Sequence, residues 1–298
     1  MSIDKTIQRV FQPPSTLFLL SSPAEVLSQV GVQIQKETGL PPAIEFREVF
    51  FTTPQGRVLL DKISLALEEG TTTAILGRSG SGKTTLMRTV NRMVEYTGGD
   101  VLIQGKTNRD ADLIALRRGM GYVIQETGLF PHFTIERNVG LVPEIQGRPK
   151  LERQTHSREL LTAVGLTPET FASRYPHQLS GGQRQRVGLA RAMAADPPIL
   201  LMDEPFGALD PLTRAEMQDM LRTLLQRLRK TVLLVTHDLD EALYLAHRIV
   251  LLGDGKLIAN LTPQEFLSSS QPEIRSYIQA FHRGERDPAG SNPQGVQP

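Results

Sequence analysis

The chain has 298 residues, and its 33 basic and 32 acidic side chains leave a net charge of +1. This balance excludes a polybasic nucleic-acid arm or an acidic tail as the main functional element, and with aromatics at only 5% we expect no nucleic-acid partner. Hydrophobic residues make up 39% of the sequence, enough for a buried core, and the absence of cysteine excludes disulfides, thiolate metal sites and a cysteine nucleophile.

The first 42 residues are expected to form an N-terminal extension. Proline pairs at 13–14 and 41–42 interrupt it, and residues 24–38 could form a surface-packed helix or belong to a poorly ordered tail. The apolar patch at 17–20 is too short for a secretory signal, and no apolar run approaches the ~20 residues needed to span a bilayer. We therefore expect a soluble, cytoplasmic chain that reaches a membrane only through a partner.

An α/β domain is expected over residues 43–265. Strands are predicted where apolar and β-branched residues alternate or form short runs, namely at 44–50, 57–67, 73–76, 100–104, 121–125, 198–202, 231–236, 248–252 and 256–260. Helices are predicted at 83–94, 213–229 and 239–246, and the pattern is helical over about 126–195. The alternation predicts a mostly parallel, three-layer core with an inserted helical subdomain at about 126–195, followed by a C-terminal helix and flexible tail over 266–298.

Residues 77–84 read Gly-Arg-Ser-Gly-Ser-Gly-Lys-Thr and match the phosphate-binding P-loop pattern. Glycines let successive backbone N–H groups point at one phosphate chain, and the following helix directs its positive N-terminus at the same anion. Because the motif lies between an apolar strand and a helix, we favour a nucleoside triphosphate site over a Gly/Ser-rich linker. The expected nucleotide-binding residues are Gly77, Arg78, Ser79, Gly80, Ser81, Gly82, Lys83, Thr84 and Thr85.

Two further apolar strands end in polar residues that suit the same chemistry. The strand at 199–203 ends in Asp203 and Glu204, which could lie near Mg²⁺ and near an attacking water. The alternative is that both are ordinary loop acids, and the presence of a P-loop in the same chain disfavours that interpretation. The strand at 231–236 leads to His237, at the strand end where α/β folds place their sites, although a purely structural histidine is the more common reading of a lone histidine.

A second anion-binding helix end is predicted at residues 179–183, which read Leu-Ser-Gly-Gly-Gln. Ser180 and the two following glycines would place a hydroxyl and unobstructed backbone at a positive helix terminus. One triphosphate cannot easily use two such ends from the same face of one chain. We therefore expect this terminus to serve a nucleotide that another copy of the chain holds.

Together with Gln125 and the Ala-Leu-Asp run at 208–210, these motifs have the order and spacing found in ABC transporter ATP-binding subunits, and the chain resembles that family over about residues 44–265. The resemblance implies a P-loop NTPase core of the ABC ATPase type, with an antiparallel β part beside the parallel sheet. It also implies ATP and Mg²⁺ as ligands, in a head-to-tail dimer that holds two ATP molecules. The resemblance implies catalytic roles for Glu204, His237 and Gln125, and Mg²⁺ binding by Thr84, Gln125 and Asp203. It implies that the other chain's nucleotide contacts Ser180, Gly181, Gly182 and Gln183. Asp210 would link the two sites.

One position departs from the resembled family. Its members usually stack adenine on an aromatic residue shortly after the first strand, and the corresponding residue here is Thr53. Phe50 or Phe51 could take over this contact, but both fit equally well as core residues of the strand. The sequence therefore leaves the adenine contact open.

The loop after Gln125 carries Leu129, Phe130 and Phe133, which indicate either a partner surface or a local apolar cluster. In the resembled family, the segment from Gln125 to Asn138 receives the membrane-spanning permease. The stretches 116–125, 128–132, 138–143 and 272–281 further resemble importers of glycine betaine, choline and related quaternary amines, in which an extracytoplasmic binding protein selects the solute. The alternatives are an importer for another polar solute, such as an amino acid, and a soluble ABC ATPase outside transport.

Overall fold

The computed structural model describes residues 41–286. The helix considered for 24–38 and the tail from residue 287 onward lie outside the described residues. The first strand begins at Ile44, as the sequence predicted.

The first sheet has four strands in the order β2-β1-β4-β5, and all its pairs are antiparallel. Its strands are β1 (Ile44–Thr52), β2 (Val58–Leu67), β4 (Gly98–Ile103) and β5 (Lys106–Thr107). A turn of residues 53–57 joins β1 to β2 in a hairpin, and Gly56 in this turn has a φ of 84°.

The second sheet has six strands in the order β10-β9-β3-β8-β7-β6. Its strands are β3 (Thr72–Leu76), β6 (Met120–Val123), β7 (Ile199–Asp203), β8 (Thr231–Val235), β9 (Arg248–Gly253) and β10 (Lys256–Leu261). Every pair is parallel except β9 with β10. Strands β3, β7 and β8 are fully buried, as expected for a parallel sheet covered on both faces.

The helices bounded by the structure include α1 (Lys83–Val90), α2 (Leu113–Arg118), α3 (Ile135–Val139), α4 (Leu141–Ile145), α5 (Lys150–Ala163), α6 (Pro168–Phe171), α7 (Gly181–Met193), α8 (Pro211–Leu228), α9 (Leu239–Leu245), α10 (Pro263–Ser268) and α11 (Pro272–Arg286). Short 3₁₀ turns occupy Asn108–Asp110 and Pro176–Gln178. Helices α3 to α7 fall within the segment predicted to be helical, and α7 packs against α3, α5 and β6.

Alternating side chains of the parallel sheet enter two separate hydrophobic clusters. On β3, Ala74 and Leu76 pack with residues of α7, α8 and α9, whereas Ile75 packs with α1 and the antiparallel sheet. This alternation is the period-2 pattern of a strand that is covered on both sides. Among residues 41–286 we find no helix that combines the length and the apolar character required to cross a lipid bilayer.

The predicted end of α1 is wrong by one turn. The apolar residues Met93 and Val94 extend the helical pattern, but the helix stops at Val90 with Asn91 as its C-cap. Arg92 adopts a left-handed φ of 51°, and the Met93 N–H donates to the Asn91 side-chain oxygen at 3.1 Å. The sequence analysis also missed β5 and α2, two short elements; Asp112 caps the start of α2.

Candidate functional site

The P-loop connects β3 to α1, and its glycines are required by the surrounding backbone. Gly77 and Gly82 have φ values of 153° and 99°, which L side chains rarely adopt. A Cβ atom on Gly82 would lie 2.6 Å from the Leu59 carbonyl oxygen, and one on Gly77 would collide with the Leu252 carbonyl. Any larger residue at either position would therefore displace the loop from its neighbours.

Lys83 closes the loop on itself. Its buried ammonium group donates to the carbonyl oxygens of Gly77 at 2.9 Å and Arg78 at 3.0 Å. Burial lowers the pKa of Lys83, while the nearby carboxylates of Glu204 and Asp203 oppose this shift. The ammonium is thus a preplaced positive charge that faces two acidic groups.

The hydroxyl of Thr84 donates to Asp203 Oδ1 at 2.8 Å, which joins the start of α1 to the end of β7. Arg88, one turn further along α1, lies 3.4 Å from Asp203 Oδ2. Asp203 is buried, so these two contacts compensate for the removal of its charge from water. The sequence placed Thr84 and Asp203 together, whereas it gave no indication of Arg88.

The three predicted catalytic side chains meet at Glu204, which contacts the other two. Its Oε2 atom accepts a hydrogen bond from Gln125 Nε2 at 3.3 Å and lies 3.3 Å from His237 Nδ1. The backbone of Glu204 has a φ of 45°, an uncommon conformation for a residue other than glycine. Its N–H donates to the Val235 carbonyl at 2.9 Å, so the end of β8 holds this strained residue in place.

The P-loop, Glu204 and His237 line one cavity of about 430 Å³, whereas Gln125 and Asp203 contact lining residues without lining it themselves. The residues that line it are Arg57, Leu59, Ser79, Gly80, Gly82, Lys83, Thr84, Thr85, Glu204 and His237. Six of the nine predicted P-loop residues line the cavity, whereas Gly77, Arg78 and Ser81 do not, and Arg57 and Leu59 were missed. They come from the β1–β2 hairpin, and no motif marks a hairpin residue as part of this wall.

The aromatic candidates for base contact do not reach this cavity. Thr53, Phe50 and Phe51 are absent from the lining residues, and Phe51 packs against the core cluster that contains Ile75. The core interpretation of Phe51 is the one that its packing supports. Thr53 instead holds the hairpin, because its Oγ1 accepts from the Arg57 N–H at 3.2 Å and its own N–H donates to the Arg57 carbonyl at 2.9 Å.

The Ser180 region caps helix α7 and does not line the cavity of its own chain. Ser180 Oγ accepts from the Gln183 N–H at 3.2 Å, and Gln183 Oε1 accepts from the Ser180 N–H at 3.0 Å, which forms a capping box. A Cβ on Gly182 would press on Thr213, whereas one on Gly181 would meet nothing within 4 Å. The fold of one chain thus explains the glycine at 182 but not the glycine at 181.

Asp210 caps helix α8 in a similar way. Its Oδ1 accepts from the Thr213 N–H at 3.1 Å, and hydrogen bonding by Thr213 lowers the pKa of Asp210. Asp210 is therefore a carboxylate on the exposed surface near Gly182, since Thr213 touches both residues. Asp210 does not line the cavity of its own chain, and its predicted role as a link between two nucleotide sites stays a prediction.

Two residues that the sequence analysis missed support the loop that carries His237. The Tyr277 hydroxyl of α11 donates to the His237 carbonyl at 3.3 Å. Glu241 of α9 is buried, and its Oε2 accepts from the Thr236 hydroxyl at 2.8 Å, while its Oε1 has no hydrogen-bond partner among the described residues. Neither residue belongs to a motif, so only packing reveals its role.

Burial raises the pKa of Glu241 to about 8 from an ordinary value of 4.5. Asp238 and Glu204 reinforce the shift, and Arg214 and the Thr236 hydroxyl oppose it. At pH 5–8 the native chain therefore keeps a proton that the unfolded chain has lost. The free energy of unfolding is therefore expected to decrease by an amount on the order of a few kcal/mol as pH rises through this window, and to level off above it.

The Glu241→Gln variant tests this expectation, because glutamine has the shape of the protonated acid. Urea unfolding at pH 5.5, 7 and 8.5 should show a weaker loss of stability with rising pH in this variant than in the wild type. The exposed Glu69→Gln variant is the control and should keep the wild-type slope. Equal slopes for all three proteins would contradict a protonated Glu241.

Comparison with known proteins assigns the chain to a family. A family model described as ABC transporter matches residues 60–207. The glycine betaine uptake system ATP-binding protein YehX of Escherichia coli (strain K12) is 44% identical over 226 residues, which cover 76% of this chain and 72% of that protein. The chain belongs to the ABC transporter family.

Other relatives in the ABC transporter family are longer than the matched region. The choline transport ATP-binding protein OpuBA of Bacillus subtilis (strain 168) is 44% identical over 80% of this chain and 61% of its own length. The chain spans about three fifths of the first curated relatives that it matches. The dimeric post-hydrolysis structure of the ATP-binding cassette MJ0796, bound to ADP and Pi, has a TM-score of 0.67 and 35% identity and covers 74% of this chain and 98% of MJ0796. The predicted α/β fold of the ABC ATPase type is confirmed.

In this ABC transporter chain, the loop after Gln125 is wound around one buried side chain. Asn138 donates to the carbonyls of Phe130, Phe133 and Thr134 at 3.1 Å each and accepts from the Phe130 N–H at 2.8 Å. Arg191 of α7 donates to the loop carbonyls of Thr127 and Gly128, both at 2.8 Å. The loop is therefore anchored at both ends to the helical segment.

The three apolar side chains predicted in this loop have different environments. Leu129 packs against the core, and Phe133 is half-buried beneath Arg137, whose guanidinium lies 3.9 Å from the ring centre. Phe130 is 41% exposed and lines a largely apolar cavity of about 390 Å³ with Ile114, Tyr122, Leu141 and Val142. Both interpretations of the loop thus apply: Leu129 joins the core, whereas the rings of Phe130 and Phe133 lie 5.3 Å apart and Phe130 presents an exposed apolar surface.

Proposed function

We propose that this chain binds and hydrolyses ATP as the energy-supplying subunit of an ABC importer for quaternary amines such as glycine betaine or choline. One observation carries the proposal: the P-loop, Glu204 and His237 follow three adjacent strands and line a single cavity, and Asp203 at the end of β7 accepts a hydrogen bond from Thr84 of that lining. The carboxyl ends of parallel strands are where α/β folds bind their ligands. We assign the ATP-binding domain to residues 43–265.

The P-loop residues are assigned to the triphosphate. Residues 77–85 offer backbone N–H groups at the start of α1, and the buried Ser81 hydroxyl has no hydrogen-bond partner among the described residues, which fits a phosphate oxygen nearby. Lys83 would exchange its two loop carbonyls for the β- and γ-phosphates. A helix terminus and an ammonium group together stabilise the charge of a bound triphosphate.

A divalent cation fits beside this cradle. Thr84, Asp203 and Gln125 supply oxygen donors, which suit Mg²⁺, and Thr84 and Asp203 already lie in contact. Within residues 41–286, no three His, Asp or Glu side chains cluster closely enough to enclose a metal ion alone. A divalent ion held by Thr84, Asp203 and Gln125 would supply charge neutralisation during phosphoryl transfer.

Glu204 is assigned as the base of hydrolysis. It would accept a proton from the water that attacks the γ-phosphorus, while the bond from that phosphorus to the bridging oxygen breaks and leaves ADP and phosphate. Gln125 and His237 hold the Glu204 carboxylate from two sides, so its orientation is fixed before the nucleotide arrives. His237 would then turn to the γ-phosphate, because its imidazole is exposed at the cavity.

A second copy of the chain is assigned to complete the site. Ser180 and Gly181 form the start of α7, and outside that helix no described residue lies within 4 Å of the position that a Cβ on Gly181 would take. A phosphate of the opposite chain's ATP would fit there, next to Gly182, Gln183 and Asp210. The MJ0796 cassette, whose solved structure is described as dimeric and bound to ADP and Pi, supports this arrangement.

If the site is composite, ATPase activity per subunit should rise with protein concentration, because each site forms only in the dimer. We expect a near-linear rise at concentrations below the dissociation constant of the dimer and a plateau above it. Phosphate release measured from nanomolar to micromolar protein, alongside sedimentation of the same samples, tests this directly. A flat activity profile in samples that sediment as monomers would contradict a shared site.

The solute and the membrane partner are assigned from the relatives. OpuBA is a choline transport protein, and YehX belongs to a glycine betaine uptake system. We propose that permease subunits bind the exposed Phe130 surface of the 125–138 loop, so that the chain sits at the cytoplasmic face of the membrane, and that an extracytoplasmic binding protein delivers the solute. Capture of the membrane partner, followed by uptake of labelled betaine, choline and amino acids, tests this assignment. Exclusive uptake of amino acids would overturn it.

A further inference from the structure

The β1–β2 hairpin contributes a planar cation to the cavity. Arg57 lines the cavity beside Leu59, and its Nη2 atom lies 3.8 Å from the position that a Cβ on Gly80 would occupy. The guanidinium thus lies over the turn of the P-loop. The neighbouring residue Leu59 also reaches the P-loop, since its carbonyl limits the space at Gly82.

The hairpin is built to hold this residue. The side chain and the backbone of Thr53 bond both the N–H and the carbonyl of Arg57, at 3.2 and 2.9 Å. The Gly56 N–H donates to the Thr53 carbonyl at 2.8 Å, which closes the turn. The backbone of Arg57 is therefore fixed, and its side chain extends from a rigid turn into the cavity.

No acid neutralises Arg57 among residues 41–282, whose side chains the structure describes and whose ion pairs do not include its guanidinium. The lining residues also include no phenylalanine, tyrosine or tryptophan. A nucleotide whose phosphates occupy the P-loop extends its base beyond them. The residues left to contact that base from the hairpin are Arg57 and Leu59.

We propose that the guanidinium plane of Arg57 stacks on the base of the bound nucleotide, with Leu59 packing beside it, and so replaces an aromatic stacking residue. This inference rests on the proposed nucleotide binding. An arginine plane stacks on aromatic rings and loses little hydration when it does so. The role of Thr53 is then to position Arg57 rather than to touch the base.

The main competing role for Arg57 is a charge contact with the phosphates. The two roles separate cleanly, because lysine keeps the charge and loses the plane, whereas phenylalanine keeps a plane and loses the charge. Tripolyphosphate provides a ligand that has the phosphates and no base. Arg57 is exposed on a surface hairpin, so all three replacements are compatible with folding.

The experiment is calorimetric titration of wild type, Arg57→Ala, Arg57→Lys and Arg57→Phe with Mg-ATP and with Mg-tripolyphosphate. Loss of one stacking contact is expected to weaken ATP binding about tenfold in Arg57→Ala and to leave tripolyphosphate binding unchanged. Arg57→Phe should restore ATP affinity to within about threefold, and Arg57→Lys should resemble alanine. Arg227→Ala, which removes an exposed arginine of α8, is the matched control.

Three results would overturn the stacking role: unchanged ATP affinity in Arg57→Ala, restoration by lysine but not phenylalanine, or an equal loss for tripolyphosphate. The proposed function fails in a different way. If wild type binds neither ligand, or if Lys83→Ala leaves both affinities unchanged, the phosphate cradle itself is misassigned. If wild type binds both ligands and Arg57→Ala keeps its ATP affinity, only the stacking role of Arg57 is rejected.

Discussion

Replacing Lys83 with alanine should weaken ATP binding by about 100-fold and remove measurable hydrolysis. Lys83 makes two hydrogen bonds in the loop, which ATP would replace with two charge-assisted bonds worth roughly 1.5–3 kcal/mol each. Without the ammonium, the nearby carboxylates Asp203 and Glu204 would repel an incoming triphosphate. The loss therefore combines missing attraction with repulsion that Lys83 normally offsets.

Titration with nucleotide and a phosphate-release assay measure both effects. Lys106→Ala is a suitable control, because it removes an exposed lysine from β5 at no cost to the cavity. Thermal unfolding of both variants distinguishes a local defect from a misfolded protein. If ATP affinity is unchanged in well-folded Lys83→Ala protein, the cradle assignment is wrong.

Motif-bearing parts of the site could be predicted because the chemistry restricts them to few residue types. The P-loop needs glycine at Gly77 and Gly82 for backbone reasons, and it needs a lysine beyond them. The acids and the histidine follow apolar strands that are themselves easy to identify. Neighbouring parallel strands end at one edge, so Asp203, Glu204 and His237 meet there without any long-range information in the sequence.

Parts of the site that depend on packing between distant segments could not be predicted. Arg57 reaches the P-loop only because the β1–β2 hairpin bends over it, and no local pattern specifies that approach. Glu241 resembles any acid in the first turn of a helix, until the fold buries it beneath Thr236. Tyr277 lies 40 residues beyond His237 in the chain, yet its hydroxyl donates to the His237 carbonyl.

Local signals also set the limits of the fold prediction. Apolar residues Met93 and Val94 continue the helical pattern of α1, but the left-handed turn at Arg92 ends that helix earlier. Elements as short as β5 and α2 carry too few residues to show a period. The buried strands β3, β7 and β8 and the helix α8, in contrast, have enough apolar positions for their type to be predicted from the sequence.

Replacing Glu204 with glutamine should stop hydrolysis while preserving ATP binding. The amide matches the carboxylate in size, so Gln125 and His237 keep a neighbour, but it cannot accept the proton of the attacking water. Removal of a general base typically lowers the rate by about 10²–10⁴-fold. Since the γ-phosphate then persists, ATP should hold two chains together as a stable dimer.

Single-turnover phosphate release, ATP titration and size-exclusion chromatography with and without Mg-ATP measure these three properties in one preparation. Glu69→Gln makes the same chemical change on the exposed surface and should behave as wild type in every assay. A Glu204→Gln protein with full turnover would move the base to another residue. If turnover is lost but ATP induces no dimer, Glu204 is still the base, and the proposal that a shared γ-phosphate keeps the two chains together is wrong.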